Sequence, residues 1–160
     1  MRDTKYTLPV LADMLVTAYK EQVAEYRTVL PLDLGVSLSA PDTYTDLREL
    51  ADRGKLVVTP EHSSSAVYGV AGNISFRTFH DYGHLLYEKD FSLEQEVELA
   101  HIQWADISHR IPHEWRTLCW VVYSADTIKQ SEYEAVHGAF PTDQKAFVTD
   151  ILSKFLLENS

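Results

Sequence analysis

ISFRTFHDYGHLLYEKDFSLEQEVELAHIQW, residues 74 to 104, is the stretch that decides the reading of this chain. At about 100° per residue, a helix over it places Arg77, His80, Asp81, His84 and Glu88 on one arc of about a quarter turn. Phe79, Tyr82 and Leu86 fall on the opposite side, with Phe76 and Tyr87 at the edge. The spacing therefore predicts an amphipathic helix from Ile74 to Glu88. Its polar face differs from an ordinary solvated one, which is made of Glu, Lys and Gln, because it carries two histidines beside an aspartate. His-x-x-x-His is also the spacing that lets two imidazoles reach one ion.

The rest of the chain reads as further helices. Residues 8 to 28 carry Val10, Leu11, Met14, Leu15, Ala18 and Tyr19 at helical spacing behind Pro9, which suits a first turn. Pro31, Gly35 and Pro41, with Ser37 and Ser39, mark 29 to 43 as a loop. A short helix from Thr43 to Arg53 stops at Gly54, and Lys55 to Thr59 is the one strand-like run, ended by Pro60. His62 to Tyr68 reads as a helix start, with Gly69, Gly72 and Asn73 marking its end. Ser92 is the N-cap of a helix whose inward stripe is Leu93, Val97, Ala100, Trp104 and Ile107; Glu94, Glu98 and His101 point away and Glu96 flanks the stripe.

After Pro112, residues 113 to 130 form a buried helix with Trp115, Leu118, Cys119 and Val122 on one stripe. Asp126 continues that stripe, where a carboxylate is costly to bury unless paired or bound to a metal. Residues 131 to 139 lead to Pro141, and a last helix carries Phe147, Ile151, Leu152 and Phe155. The expectation is a mainly α protein, one compact helical domain over 1 to 160 with at most a minor strand element.

Composition narrows the function classes. The 160 residues, 45% hydrophobic, suffice for one core. No run of 18 apolar residues and no leader pattern is present, so a soluble, cytoplasmic protein is expected. The single cysteine, Cys119, excludes an internal disulfide and a cysteine-rich zinc site. A net charge of -10 argues against direct binding of nucleic-acid backbones, which needs clustered Lys and Arg. Homo-oligomerisation is left open.

His62, the His80-Asp81 pair and Asp126 in VVYSADTIK together resemble the HD superfamily of metal-dependent phosphohydrolases, with Phe-His-Asp-Tyr-Gly-His-Leu-Leu similar to its central signature. The resemblance implies an all-helical fold in which His62, His80, Asp81 and Asp126 hold a divalent metal. That metal would activate water against a nucleotide or other small phosphorylated molecule. Arg77 or His84 would then hold the phosphate or protonate the leaving group.

Two other readings compete. His80, His84 and Glu96 make a two-His-one-carboxylate set of the kind that leaves positions open on iron; the short Lys89-Asp90-Phe91 connection brings Glu96 back towards the first helix. Alternatively the cluster is an internal polar network in an acidic helical binding or inhibitor protein, whose three Trp and nine Tyr serve a contact surface.

Overall fold

A computed structural model describes residues 4–159. Helix α1 (Thr4–Val29) starts more than a turn before Pro9. Proline removes one i→i−4 hydrogen bond, and the helix absorbs that loss near its end. Leu8, Leu11, Leu15, Tyr19, Val23 and Tyr26 form its buried face. Tyr19 is the hub of the core: its ring lies 4.8 Å from Phe79 and 5.3 Å edge-on from Tyr68. Its hydroxyl is 2.6 Å from that of Tyr68, so the buried pair satisfies itself.

The segment expected as an uninterrupted loop contains strand β1 (Asp33–Val36). It pairs in parallel with β2 (Lys55–Val58), Asp33 opposite Lys55 and Val36 opposite Val58. Four residues that include an aspartate and a glycine carry no strand periodicity, and the pairing with β2 supplies the order instead. Helix α2 (Tyr44–Asp52) makes the crossover, capped by Thr43 accepting from the Asp46 amide and closed by Gly54 at φ +82°.

Only a 3₁₀ turn, Ser63–Ser65, forms where a helix start was expected after His62. Helix α3 (Gly69–Leu86) instead begins at the glycines read as a terminator. Gly72 is there for contact: a Cβ would lie 3.0 Å from a Val16 methyl of α1 and 2.8 Å from the Tyr68 Cβ. The helix ends at Leu86, so Glu88, at φ +52° and exposed, leaves the expected polar arc.

Helix α4 (Leu93–Ser108) is capped by Ser92 as expected, but its buried face is Leu99, Ala100, Gln103 and Ile107. The expected stripe is thus rotated; Leu93 is 41% exposed. Glu96, expected to flank the stripe, is half-buried and turns towards α3.

A 3₁₀ turn at His113–Trp115 leads into α5 (Arg116–Ser124), which runs through a π-turn at Ala125–Lys129 into α6 (Gln130–His137). The helix therefore passes the expected end at residue 130 and stops at Gly138, φ +76°. Helix α7 (Gln144–Glu158), capped by Asp143, buries Val148 and Leu152 against α5. α1 lies against α3 and α5, while α4 packs on α3, the π-turn and α6. One core cluster extends from Leu8 to Leu152. The mainly α fold with a minor strand element stands, and no helix among the described residues is long and apolar enough to cross a membrane.

Candidate metal centre

The α3–α4 connection is short, so the two helices return antiparallel and Glu96, on the first turn of α4, faces the last turns of α3. Asp90 and Ser92 build the corner: the Ser92 amide donates to Asp90 Oδ1 (2.9 Å) and the Asp90 amide to Gln95 Oε1 (2.6 Å). The corner also holds His84. Its ring Nδ1 is 2.6 Å from the Lys89 carbonyl oxygen, and the Lys89 amide donates back to the His84 carbonyl. A carbonyl only accepts, so His84 Nδ1 carries a proton and the neutral ring presents a lone pair at Nε2.

Three ligand-type atoms converge there. His80 Nε2 is 3.0 Å from Glu96 Oε2, His84 Nε2 is 3.0 Å from Glu96 Oε1, and the two Nε2 atoms are 3.1 Å apart. This is the one group of three His, Cys, Asp or Glu ligands close enough to hold a metal ion among the described residues. Ligands about 2.1 Å from one cation sit about 3.0 Å apart at right angles, the geometry of one face of an octahedron.

Neutral rings leave this array short of protons. With both rings neutral, a single N–H, on His80 Nε2, faces two carboxylate oxygens and the His84 lone pair. Protonating His84 settles its contact with Glu96 but sets two N–H groups 3.1 Å apart. A cation at the centre meets all three contacts at once.

Burial lowers the proton affinity of His80, yet the charge of Glu96 and its hydrogen bond outweigh this and lift the ring to about 9. Burial likewise pushes the Glu96 carboxyl up, and the two imidazoles reverse it, holding Glu96 far below the usual range. His84 is 1% exposed on its side chain, against 20% for His80 and 19% for Glu96, so the cluster opens on the His80–Glu96 side. Phe76 stacks on His80 at 5.7 Å, and Phe91 meets His84 edge-on at 4.6 Å.

The other expected ligands are distributed around this group. His62 is exposed in a left-handed turn before α3 and gives no atom to it. Asp81 also lies outside the three-ligand set. Burial raises its carboxyl, while His80 and His84 pull it back. Asp126, on the π-turn, is half-buried and accepts from Gln130 Nε2 at 2.8 Å. Burial pushes it up to about 7 against the pull of His80 and Arg77, which places it electrostatically beside the cluster but outside its ligand set. Arg77 donates through Nη1 to the Thr59 carbonyl, and Asp81, Asp126 and Glu61 all act on its charge. His101 is exposed, its ring 5.5 Å from that of Trp120.

Gln103 went unread in the sequence. It is fully buried on α4, donates from Nε2 to the Phe79 carbonyl at 2.8 Å, and packs where α3 has Gly83. A Cβ at Gly83 would stand 2.3 Å from the Gln103 amide. The readable signal was an amide seven residues after Glu96, on the same face of α4.

Comparison with protein-family models, with curated proteins and with solved structures found no match.

Proposed function

We propose that this protein is a divalent-metal-dependent hydrolase of a small substrate, with His80 Nε2, His84 Nε2 and Glu96 as the metal ligands. The observation that carries the reading is the 3.0–3.1 Å triangle of one carboxylate and two imidazoles, close enough to share one ion. Three protein ligands leave coordination positions open, as catalytic sites require and closed structural sites do not. A divalent ion held there supplies a Lewis acid and an activated water at neutral pH.

The surrounding residues have separable tasks. His84, locked by Lys89, fixes one ligand direction, and Glu96 holds the second helix to the first. Asp81 and Asp126 border the cluster as carboxyl groups whose burial favours holding a proton, which suits them to take and return one during hydrolysis. Arg77 is the cation of this surrounding, and it is already engaged by the Thr59 carbonyl and by the charge of Glu61. That balance favours an uncharged carboxylic ester or amide over a phosphate dianion, which has less uncompensated positive charge to meet.

Turnover of a panel containing a carboxylic ester, an amide and a phosphomonoester, by protein loaded with Zn²⁺, Mn²⁺ or Co²⁺, tests the reading. Hydrolysis that is lost with chelator and in His80→Ala is expected, with the phosphomonoester the poorest substrate. Metal-bound protein without turnover of any member would overturn the hydrolase assignment while leaving the centre standing.

A further inference from the structure

Gln103 contributes two polar atoms to a fully buried position, and only one is accounted for by packing. Nε2 donates to the Phe79 carbonyl and lies 3.4 Å from the Tyr26 hydroxyl, whereas Oε1 is the one buried side-chain polar atom without a hydrogen-bond partner among the described residues. An orphaned amide oxygen in a core is destabilising, because it gives up its bond to water and gains none in return. The position is also built for the amide: Gly83, one residue before His84, leaves the space that any side chain would close. Gln103 is tied to Phe79 and packs against Gly83, and His80 lies on the turn of α3 between those two contacts.

We propose that Gln103 is a positioning residue for the metal centre: its Oε1 takes the ring N–H of His80 that faces away from the cation, so that Nε2 is the ligand atom. This role rests on the metal reading above. A ligating histidine is ordinarily oriented through its second nitrogen, and loss of such a partner lowers metal affinity about 10–100-fold. Gln103 suits the task because its Nε2 is tied to α3 through Phe79, which sets the direction of the oxygen. The same α3 backbone carries His80 one residue later. Gly83 enters as the residue that lets α3 and α4 approach closely enough for the contact.

The test is Co²⁺ titration of the full chain, with affinity and visible spectrum recorded beside thermal stability. Gln103→Met keeps volume and removes the acceptor; it is expected to bind Co²⁺ about 10–100-fold more weakly than the wild type, with an altered spectrum. Gln103→Glu keeps an acceptor oxygen and loses the donor to Phe79; it is expected to recover Co²⁺ affinity to within about threefold even where its stability is lower. A purely structural residue gives the opposite ranking, with the Glu variant the weaker binder. If the Met variant does not fold, Gln103→Asn provides the same reading, since it keeps both amide atoms but withdraws them by one methylene. Co²⁺ affinity unchanged in the Met or Asn variant would overturn the role of Gln103. A folded wild type that takes up no Co²⁺ would instead overturn the metal reading, and this role with it.

Discussion

Two polar clusters lie in the same helical bundle on either side of Gln103, and they differ in whether protons balance acceptors. In one, Asp106 Oδ2 on α4 accepts from the hydroxyls of Tyr26 and Tyr87, each at 2.6 Å. Two donors meet a carboxylate with room for both, and both tyrosine hydroxyls are held protonated, by burial first and by Asp106 second, Tyr87 being pushed up to about 12. In the other, while the rings are neutral, His80, His84 and Glu96 crowd three acceptor-type atoms around one proton. The first cluster is complete as a structural tie between α1, α4 and the C-cap of α3 at Tyr87. The second brings two imidazoles and a carboxylate close enough to share one cation, which the first does not.

The largest expected effect exploits this contrast directly. Zn²⁺ at a thousandfold excess over its dissociation constant should stabilise the chain by about 4 kcal/mol. Thermal unfolding with and without the ion reads it, and His84→Gln should abolish the gain. A gain of the same size in His84→Gln would place the bound ion elsewhere.

Gly83→Ala probes the amide that joins the two clusters. The new methyl would stand 2.3 Å from Gln103, and overpacking of this kind costs about 1–3 kcal/mol. Denaturant unfolding measures the loss; a variant as stable as the wild type would mean that Gln103 moves aside freely.

Asp126 asks to which kind of polar group the π-turn belongs. It is faced by Arg77 and His80 of α3, Tyr19 of α1, Tyr68 and Tyr123, with Gln130 as its hydrogen-bond partner. Its proton affinity is higher in the folded chain, about 7 against 3.8, so the stability it contributes is full below about 3.8 and is lost as pH rises through 7. Asp126→Asn should therefore match the wild type near pH 4 and exceed it above pH 7, by about 2 kcal/mol after discounting for partial exposure. A difference that does not change between pH 4 and pH 8 would contradict this account. Loss of bound metal in the variant would move Asp126 into the ligand set.

Tyr26→Phe gives the smallest effect. It removes one of two hydroxyls on Asp106 and should cost about 1 kcal/mol in denaturant unfolding. Zn²⁺ affinity should stay at the wild-type value, and a clear loss of affinity would show that the two clusters act as one network.

The periodicity of residues 74 to 104 was enough to show two helices, a tight corner between them and the ligand-rich face, because helical spacing and the Ser92 cap are local properties. The rotation of α4 was not legible. Leu93 and Val97 look like core residues, and only tertiary packing turns Leu99 and Gln103 inward and carries Glu96 with them. Gly69 and Gly72 misled for a related reason: glycine marks helix ends by propensity, but here close contact with α1 sets the requirement at Gly72. β1 was hidden since its order comes from a partner 22 residues away, Asp33 pairing with Lys55. His62 is near His80 in sequence, yet the left-handed turn and the 3₁₀ segment after it leave the ring exposed and outside the cluster.

Metal content of the chain purified without chelator, measured beside that of Glu96→Ala, decides whether the triangle holds an ion. One equivalent of a divalent transition metal per wild-type chain is expected and close to none in the variant, with the helical fold retained in both. Equal trace metal in two well-folded proteins would contradict it, and the His80–His84–Glu96 triangle would then be an internal polar network.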